Sequence, residues 1–446
     1  MVWPECANDQ PRRYNPLLNK HLERTPGTRI ARPRSRRPRH LAIALLFSAS
    51  LFILAACIGD LDPDGGWAAP VVSGDHVYLG AKDGRITRLD LNDNGRYDGA
   101  WGFPAPGADT LGPIYGTPRV YGDRVLGAAY DCDGLDCSAT VFGVSTETGQ
   151  KLWTFERQTQ VVGAVALAGD TVLFGTAQID DEFDNDPGPG LPGAHGYLYA
   201  LDISNPAAPT VSWRFATTDS VWGTPVVSDE VVYFGDLEGV FHAVSLGGES
   251  GNAGDELWSF HAEGAIVAEP LVLNGKIYFG DFSDNFYALD IATREAAGPG
   301  SNPPGPGEWS FSSDGWFWAT PLVYENTLYV GTLNGKFYAL NPDTGAEIWA
   351  SPGEVIGQIV GGAAVITELN GGDAVAVPSG KDNIGVFNLA NGNELNGFAT
   401  DGGVKASLLV NDGFLYAHTT DDQVIKFNTA DRNRLSCIEA ETGAAC

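Results

Sequence analysis

The sequence is poor in the residues that build metal centres. Its 446 residues include six cysteines, seven histidines and a single methionine. The histidines are scattered, and no Cys-x-x-Cys pair or Cys/His cluster occurs, so the ligand spacings of zinc sites are missing. Cys-x-x-Cys-His, the attachment motif of a c-type haem, is missing too. The composition therefore argues against transition-metal and haem chemistry.

Basic side chains are scarce as well. The chain has 27 Lys and Arg against 56 Asp and Glu, a formal net charge of −29. Ten of the basic residues lie within residues 1–57, so residues 58–446 hold 17 basic and 53 acidic side chains. Such a surface repels phosphate backbones and attracts cations or basic partners. We therefore expect no binding to nucleic acid.

No apolar run is long enough to span a membrane. The longest, residues 41–54, falls short of the roughly 20 residues that a spanning helix needs. It follows an Arg-rich stretch and precedes Ala55-Ala56-Cys57, an order typical of a secretory signal. Leu54-Ala55-Ala56-Cys57 matches the bacterial lipobox, in which the cysteine is acylated.

These features predict three parts of the chain. Residues 1–56 are a basic N-terminal extension and lipoprotein signal peptide, 57–65 are a lipidated tether with the lipid on Cys57, and the rest is exported. An uncleaved anchor helix is the alternative. Either places the remaining chain outside the cytoplasm, on the outer face of a bacterial cell membrane or outer membrane, touching the membrane only through its anchor.

The remaining cysteines agree with export. Cys132 and Cys137 form one local pair, and Cys437 and Cys446 form another. An oxidising compartment would allow both pairs to close as disulfides.

One pattern recurs eight times between residues 66 and 440. The clearest copy has Trp318-Ala-Thr-Pro-Leu-Val, then Thr327-Leu-Tyr-Val-Gly, then Gly335-Lys-Phe-Tyr-Ala-Leu-Asn-Pro-Asp-Thr-Gly-Ala-Glu-Ile-Trp349. Each copy is four short β-prone runs separated by turn residues, which indicates a four-stranded antiparallel meander. Such sheets cannot cover their own apolar faces, so the repeat predicts an all-β, eight-bladed β-propeller over 66–440, followed by a C-terminal tail, 441–446. We expect no helix.

The segment Tyr338–Trp349 resembles the repeat of the pyrroloquinoline-quinone (PQQ)-type propellers, and Phe142–Trp153 is similar to it. The resemblance spans about residues 66–440. One branch of that family is the quinoprotein dehydrogenases. The other comprises non-enzymatic lipoproteins similar to the propeller lipoprotein of the outer-membrane barrel-assembly machine.

The dehydrogenase branch implies PQQ and Ca²⁺ on the propeller axis, an Asp base and, commonly, two adjacent cysteines. This chain has no Cys-Cys pair, and no motif assigns a base or a calcium pair. We therefore expect a non-catalytic platform without a cofactor, a monomer that binds protein in the cell envelope and takes part in envelope assembly. A PQQ/Ca²⁺-dependent dehydrogenase is the first alternative and a carbohydrate-binding propeller the second.

The candidate binding surface is one face of the disc. Turns between second and third strands share this face with the blade-to-blade connectors, and function usually lies in such loops. Acidic inserts at residues 131–137 and 178–195 are predicted there. The aromatic residues that open the first strands are predicted to rim an acidic funnel suited to basic or extended peptides, or to sugars: Trp67, Tyr115, Trp222, Trp316 and Trp318. Alternatively, these aromatics only plug the channel mouth.

A calcium loop is a further candidate. Residues 90–98 place oxygen ligands at alternating positions, with a glycine at the sixth: Asp90, Asn92, Asn94 and Asp98. The twelfth position, however, is Trp101 instead of a carboxylate, and the run also fits an ordinary turn between the third and fourth strands. The Gly/Pro-rich residues 296–307 are predicted to form a flexible spacer on the opposite face.

Overall fold

The structure is a computed structural model that describes residues 66–91, 96–105, 107–133, 136–177, 196–205, 207–297, 305–369, 371–381 and 383–446. The predicted signal peptide, Cys57 and the tether lie outside these residues, as does the acidic insert 178–195. No helix among the described residues has the length and hydropathy needed to cross a membrane.

Eight four-stranded antiparallel sheets follow one another along the chain, and the strands of each sheet lie in sequence order. The strands of blades 1 to 4 are β1 (Val71–Ser73), β2 (His76–Gly80), β3 (Ile86–Asp90), β4 (Arg96–Phe103), β5 (Arg119–Tyr121), β6 (Arg124–Asp133), β7 (Asp136–Ser145), β8 (Lys151–Arg157), β9 (Ala166–Ala168), β10 (Thr171–Thr176), β11 (Gly196–Asp202), β12 (Thr210–Thr217), β13 (Val226–Ser228), β14 (Val231–Gly235), β15 (Val240–Ser245) and β16 (Glu256–His261). Those of blades 5 to 8 are β17 (Leu271–Leu273), β18 (Lys276–Gly280), β19 (Asn285–Asp290), β20 (Trp309–Ser312), β21 (Leu322–Tyr324), β22 (Thr327–Gly331), β23 (Lys336–Leu340), β24 (Gly353–Glu354), β25 (Ala364–Leu369), β26 (Gly372–Val377), β27 (Asn383–Asn388), β28 (Glu394–Ala399), β29 (Leu409–Asn411), β30 (Phe414–His418), β31 (Gln423–Asn428) and β32 (Arg434–Glu439). The predicted eight-bladed propeller is confirmed.

Burial across a blade follows from the ring. The second and third strands are buried at most positions, as in β14 and β15, because neighbouring blades cover both of their faces. First strands are half-buried and approach one another, as β9 and β13 do, so they surround the central channel. Fourth strands form the outer rim. The ring therefore presents the start of every first strand to the channel.

The tryptophan that ends a repeat packs on a glycine of the next blade. The Trp309 indole donates to Pro342 O (3.0 Å), and an added Cβ at Gly345, which has a φ of 70°, would lie 2.5 Å from the Trp309 ring. Trp349 does the same with Leu389 O (3.0 Å) and Gly392. The Gly and the Trp of the Thr-Gly-x-x-x-Trp pattern thus recur because they form contacts between neighbouring blades.

A second contact between blades joins a small residue to a large one. In five blades, a glycine near the end of the second strand makes room for a buried apolar residue of the connector to the next blade. An added Cβ would lie 2.2–2.7 Å from that side chain in the pairs Gly80–Ile114, Gly175–Val221, Gly235–Ile266, Gly280–Phe317 and Gly331–Ile359. Overlap this close cannot be relieved without moving a blade.

At the seam between blades 8 and 1, the large residue lies on the second strand and the small residue lies on the connector. His418, fully buried, ends β30 where those blades have glycine, and Gly66 precedes Trp67 where the connectors have a large residue. His418 Nδ1 lies 2.8 Å from Ala68 O and Nε2 lies 2.9 Å from Asp422 Oδ1. The backbone N–H of Lys82 also donates to Asp422 Oδ1 (3.0 Å). Apolar side chains of both blades, such as Leu79 and Tyr416, also pack together, so polar contacts add to apolar packing where the ring closes.

The C-terminal residues belong to the last blade. Cys446 is disulfide-bonded to Cys437 of β32, and Ile438 forms a bridge with Ala445. Residues 441–446 thus fold back onto the outer strand, and Tyr97 of blade 1 donates to Glu441 O at 3.3 Å.

Within the described residues, one α-helix, α1 (Ile291–Ala297), and a 3-10 helix, Gly248–Ser250, interrupt the all-β pattern, so the expectation of no helix was wrong. Arg294 of α1 is buried, and its Nε donates to Glu308 Oε1 at 2.7 Å. The Glu308 side chain also accepts from the backbone N–H groups of Asp290 and Gly305. This buried pair fixes both ends of the predicted spacer, of which residues 298–304 lie outside the described residues.

Candidate binding site at the channel mouth

Each blade contributes one residue to a ring around the channel mouth, here called the mouth ring. It is the residue that opens the blade: Trp67, Tyr115, Val162, Trp222, Val267, Trp318, Val360 and Lys405. With their neighbours these residues line a cavity of about 100 Å³. Four of the five predicted funnel residues belong to the ring, because the repeat places them at one structural position.

The aromatic members of the mouth ring are half-buried, and two of them contact each other. Trp67 and Tyr115 meet edge to face, with 4.7 Å between ring centroids, and Tyr115 stacks on Tyr130 at 5.1 Å. Part of each aromatic surface therefore remains open to a ligand.

Trp316 is the exception among the predicted funnel residues. It lies two residues before the mouth ring and stacks on Phe282, with 5.1 Å between ring centroids and 14° between planes. Trp318 lies near the other side of Phe282, at 5.5 Å. Trp316 therefore belongs to the surface around the mouth and does not line the cavity.

Two charged groups line the cavity, and they have opposite signs. Glu269 Oε1 and Oε2 accept from Arg119 Nη2 at 2.6 and 2.7 Å, an ion pair that joins blade 5 to blade 2 across the ring. Lys405, largely buried, places its ammonium 5.4 Å from the centroid of the Trp67 ring. The described lining is thus not acidic, in contrast to the predicted funnel. Carboxylates lie on the surrounding loops instead.

Turns and connectors form one continuous face around the mouth. In blades 2 to 8, backbone hydrogen bonds join the turn after the second strand to the connector that enters the same blade, as in Leu237 N–Ser220 O (3.0 Å) and Leu333 N–Trp316 O (2.8 Å). This arrangement, here called the mouth face, was expected from the up-and-down order of the strands. A substitution in one of these turns therefore changes the surface beside the connectors and the mouth ring.

The hairpin of blade 2 is the longest described second-to-third-strand connection. β6 and β7 have ten residues each, and Cys132 lies opposite Cys137 with the two bonded as a disulfide. Gln160 Nε2 lies 3.3 Å from Cys132 Sγ and 3.2 Å from Cys137 Sγ. The base of the hairpin carries Tyr130, which stacks on the mouth ring, so the hairpin is tied to the mouth.

A buried histidine supports the turn of blade 4. His242 Nδ1 lies 2.9 Å from Glu256 Oε1, and Nε2 lies 3.4 Å from Asp236 Oδ2. Burial alone would lower the pKa of His242, but hydrogen bonds and charge from both carboxylates outweigh burial and raise it. Asp236 also accepts from the N–H of Val240, which closes the turn.

The structure describes only part of the candidate calcium loop, including Asp90 and Asp98. Asn92 and Asn94 lie outside the described residues. Asp98 Oδ2 accepts from Arg88 Nε at 3.2 Å. Burial would raise the pKa of Asp98, but the Arg88 guanidinium and the Ala100 N–H together lower it. Within the described ranges, no group of three His, Cys, Asp or Glu side chains is arranged to hold a metal.

The residues around the axis do not fit a calcium-bound quinone. The described lining offers one carboxylate, Glu269, which is already held by Arg119. The cavity of about 100 Å³ is small beside the roughly 300 Å³ at which small-molecule pockets begin. The described lining therefore offers neither the charge nor the space for a tricyclic tricarboxylate and a divalent cation.

Sequence reasoning missed the three charged residues of the mouth. Arg119 and Glu269 join blades that are 150 residues apart, and no local pattern signals that contact. Lys405 could have been found, because it occupies the position of Trp67 and Trp318 in a copy that has lost the aromatic residue. Its signal was the alignment of all eight copies.

The chain is similar to a known protein family and to solved structures. The family model described as outer membrane protein assembly factor BamB matches residues 194–444, more than half of the chain. Among solved structures, BamB from Moraxella catarrhalis is similar, with a TM-score of 0.56, 16% identity, and coverage of 82% of this chain and 94% of that one. The computationally designed Ika8 protein has a TM-score of 0.59, 17% identity, and coverage of 82% and 96%. No curated protein matches the chain.

Proposed function

Because this chain belongs to the family described as outer membrane protein assembly factor BamB, we propose that it is a non-catalytic, exported propeller that binds protein in the cell envelope. It is anchored by a lipid on Cys57 and takes part in envelope assembly. The structural likeness at 16% identity supports the fold, and the argument for binding rests on the mouth.

The observation that carries this proposal is the mouth ring. Eight blades bring one residue each to a shallow opening, and four of these residues are half-buried aromatics. Trp and Tyr supply large, rigid contact surfaces and are enriched at protein interfaces. A rigid disc with such a rim is suited to binding another protein without chemistry.

Substitution in the ring tests the proposal. Trp222→Ala and Trp318→Ala together are expected to reduce at least tenfold the recovery of partner proteins with the tagged protein from native envelopes. Ile348→Ala is the matched control, since it removes an apolar side chain that is 46% exposed on the segment between β23 and β24 of blade 6 and does not line the mouth. Equal recovery with all three proteins would contradict binding at the mouth.

The enzymatic alternative predicts a different result. Titration with PQQ and Ca²⁺ followed by dye-linked oxidation of alcohols or sugars is expected to give no turnover. Any turnover that depends on both PQQ and Ca²⁺ would show that the protein is a dehydrogenase and would contradict the non-catalytic proposal. Binding on a glycan array that is lost in Trp222→Ala would instead support the carbohydrate-binding alternative.

The anchor has its own test. Mass spectrometry of the mature N-terminus is expected to find a diacylglyceryl group on Cys57. A mature protein that begins elsewhere would remove the lipid anchor from the proposal without touching the binding surface.

A further inference from the structure

The second-to-third-strand turns differ around the mouth face. The second residue of the turn is apolar in three successive blades, Leu237, Phe282 and Leu333 of blades 4 to 6. In blades 7, 8 and 1, the same position holds Gly380, Thr420 and Lys82. The repeat therefore has one apolar side and one polar side on the same face.

The three apolar turn residues join the neighbouring tryptophans in one cluster, here called the apolar sector. Its members are Trp222, Leu237, Ala265, Val267, Phe282, Trp316, Trp318 and Leu333. Leu237, Leu333 and Trp316 are only half-buried, so apolar surface remains exposed beside the mouth ring. Contiguous exposed apolar surface with a polar rim is typical of interaction sites.

Carboxylates surround the apolar sector. Glu238 and Glu263 are exposed, and Asp284 and Asp314 lie on the same turns and connectors. Asp314 Oδ2 pairs with Lys336 Nζ at 2.5 Å. Burial is the main cause that raises the pKa of Asp284, and the negative charges of Asp281 and Asp314 add to it. The rim therefore favours cations.

We propose that the apolar sector docks a cationic amphipathic segment of a partner protein, with apolar side chains over the tryptophans and flanking Lys or Arg side chains against the carboxylate rim. This inference rests on the proposed binding function and names its partner chemistry. Charge complementarity selects this occupant, because a second copy of the chain would bring the same negative rim against itself.

Designed peptides test the chemistry of the occupant. The probe is a fluorescent 12-residue peptide of alternating Leu and Lys, compared with Leu/Glu and Ser/Lys versions, all at 150 mM salt. We expect the purified full-length protein to bind the Leu/Lys peptide at least tenfold more tightly than either comparison peptide. Equal affinity for Ser/Lys, or binding of Leu/Glu, would overturn the proposal.

The repeat supplies a matched control for location. Glu238 and Asp421 are both exposed, and both occupy the third position of the turn in their blades. Glu238→Lys is expected to weaken binding of the Leu/Lys peptide at least fivefold, and Asp421→Lys less than twofold. Equal weakening would show that net charge alone drives binding, and would refute the apolar sector as the site.

A pair of neutral variants guards against misfolding. Leu237→Ser should weaken binding of the Leu/Lys peptide at least fivefold, while Thr420→Ser should leave it unchanged, with unfolding midpoints measured for both. If envelope partners still depend on Trp222 and Trp318 while the peptides show no preference, the proposed function stands and this inference falls. Self-association of the protein through Leu237 would also overturn it.

Discussion

The turns on the two sides of the mouth face serve different purposes. In blades 8 and 1, the turn residues Asp422 and Lys82 hydrogen-bond to each other, and His418 joins them to Ala68. In blades 4 to 6, glycine and a large connector residue already lock neighbouring blades together. Their turn residues are therefore not needed for closure and can carry exposed apolar surface. Polar contacts across the seam and exposed apolar turn residues thus occupy separate sides of one face, and the proposed binding uses the apolar side.

The largest effect is expected from filling a glycine position on the apolar side. An added Cβ at Gly280 would lie 2.2 Å from Phe317 Cβ. Gly280→Ala should therefore lower the free energy of unfolding by about 3 kcal/mol, since overpacking forces neighbouring elements apart. Urea unfolding measures the loss. Gly372→Ala is the control, because its Cβ would meet nothing closer than 3.7 Å, and an equal loss there would contradict the contact.

The seam is expected to be next most sensitive. Ala68 O can only accept, so His418 Nδ1 donates to it, and Nε2 lies 2.9 Å from Asp422 Oδ1. His418→Ala removes both contacts, opens a cavity and leaves the Asp422 carboxylate with the Lys82 N–H as its donor, at a cost of about 2 kcal/mol. Urea unfolding at neutral pH measures it. A loss below about 0.5 kcal/mol would show that the seam closes by apolar packing alone.

A second buried histidine sharpens the comparison through pH. The raised pKa of His242 means that its contribution to stability is complete below about pH 6.5 and is lost as pH rises through its folded pKa. The stability advantage over His242→Gln should therefore be about 1 kcal/mol near pH 6 and shrink at higher pH. Urea unfolding from pH 6 to 9 measures it, and an advantage that grows with pH would contradict the network.

The smallest effect is expected across the channel. Arg119 and Glu269 pair between blades 2 and 5, but both side chains are partly exposed, at 32% and 26%. A double-mutant cycle with Arg119→Ala and Glu269→Ala should give a coupling of about 0.5 kcal/mol, as for other ion pairs open to water. A coupling above about 2 kcal/mol would contradict this expectation and show that the ion pair contributes substantially to the stability of the ring.

The repeat and its strands could be predicted from the sequence, because local patterns of turn residues and β-prone residues specify each blade. Four aromatic mouth residues were also predictable, since Trp67, Tyr115, Trp222 and Trp318 occupy one position of that repeat. Trp316 was misplaced because its position is set by stacking on Phe282, a contact between blades. The helix Ile291–Ala297 was missed because seven residues in a Gly/Pro-rich insert give little helical periodicity.

The seam lay beyond sequence reasoning for a physical reason. Closure joins residues at opposite ends of the repeat array, such as Ala68 and His418, which are 350 positions apart. The exchange of sizes between Gly66 and His418 becomes visible only when the circular arrangement is known. The acidic character of the funnel was also misjudged, because total charge does not say which side chains face the channel.

Photo-crosslinking in living cells tests the central claim most directly. A photoreactive amino acid replaces Leu237 in the apolar sector or Thr420 at the same turn position of blade 8. The account predicts a discrete adduct with an envelope protein from position 237, lost on adding Trp316→Ala, and none from position 420. Equal adducts from both positions, or adducts from position 420 alone, would contradict binding through the apolar side of the mouth face.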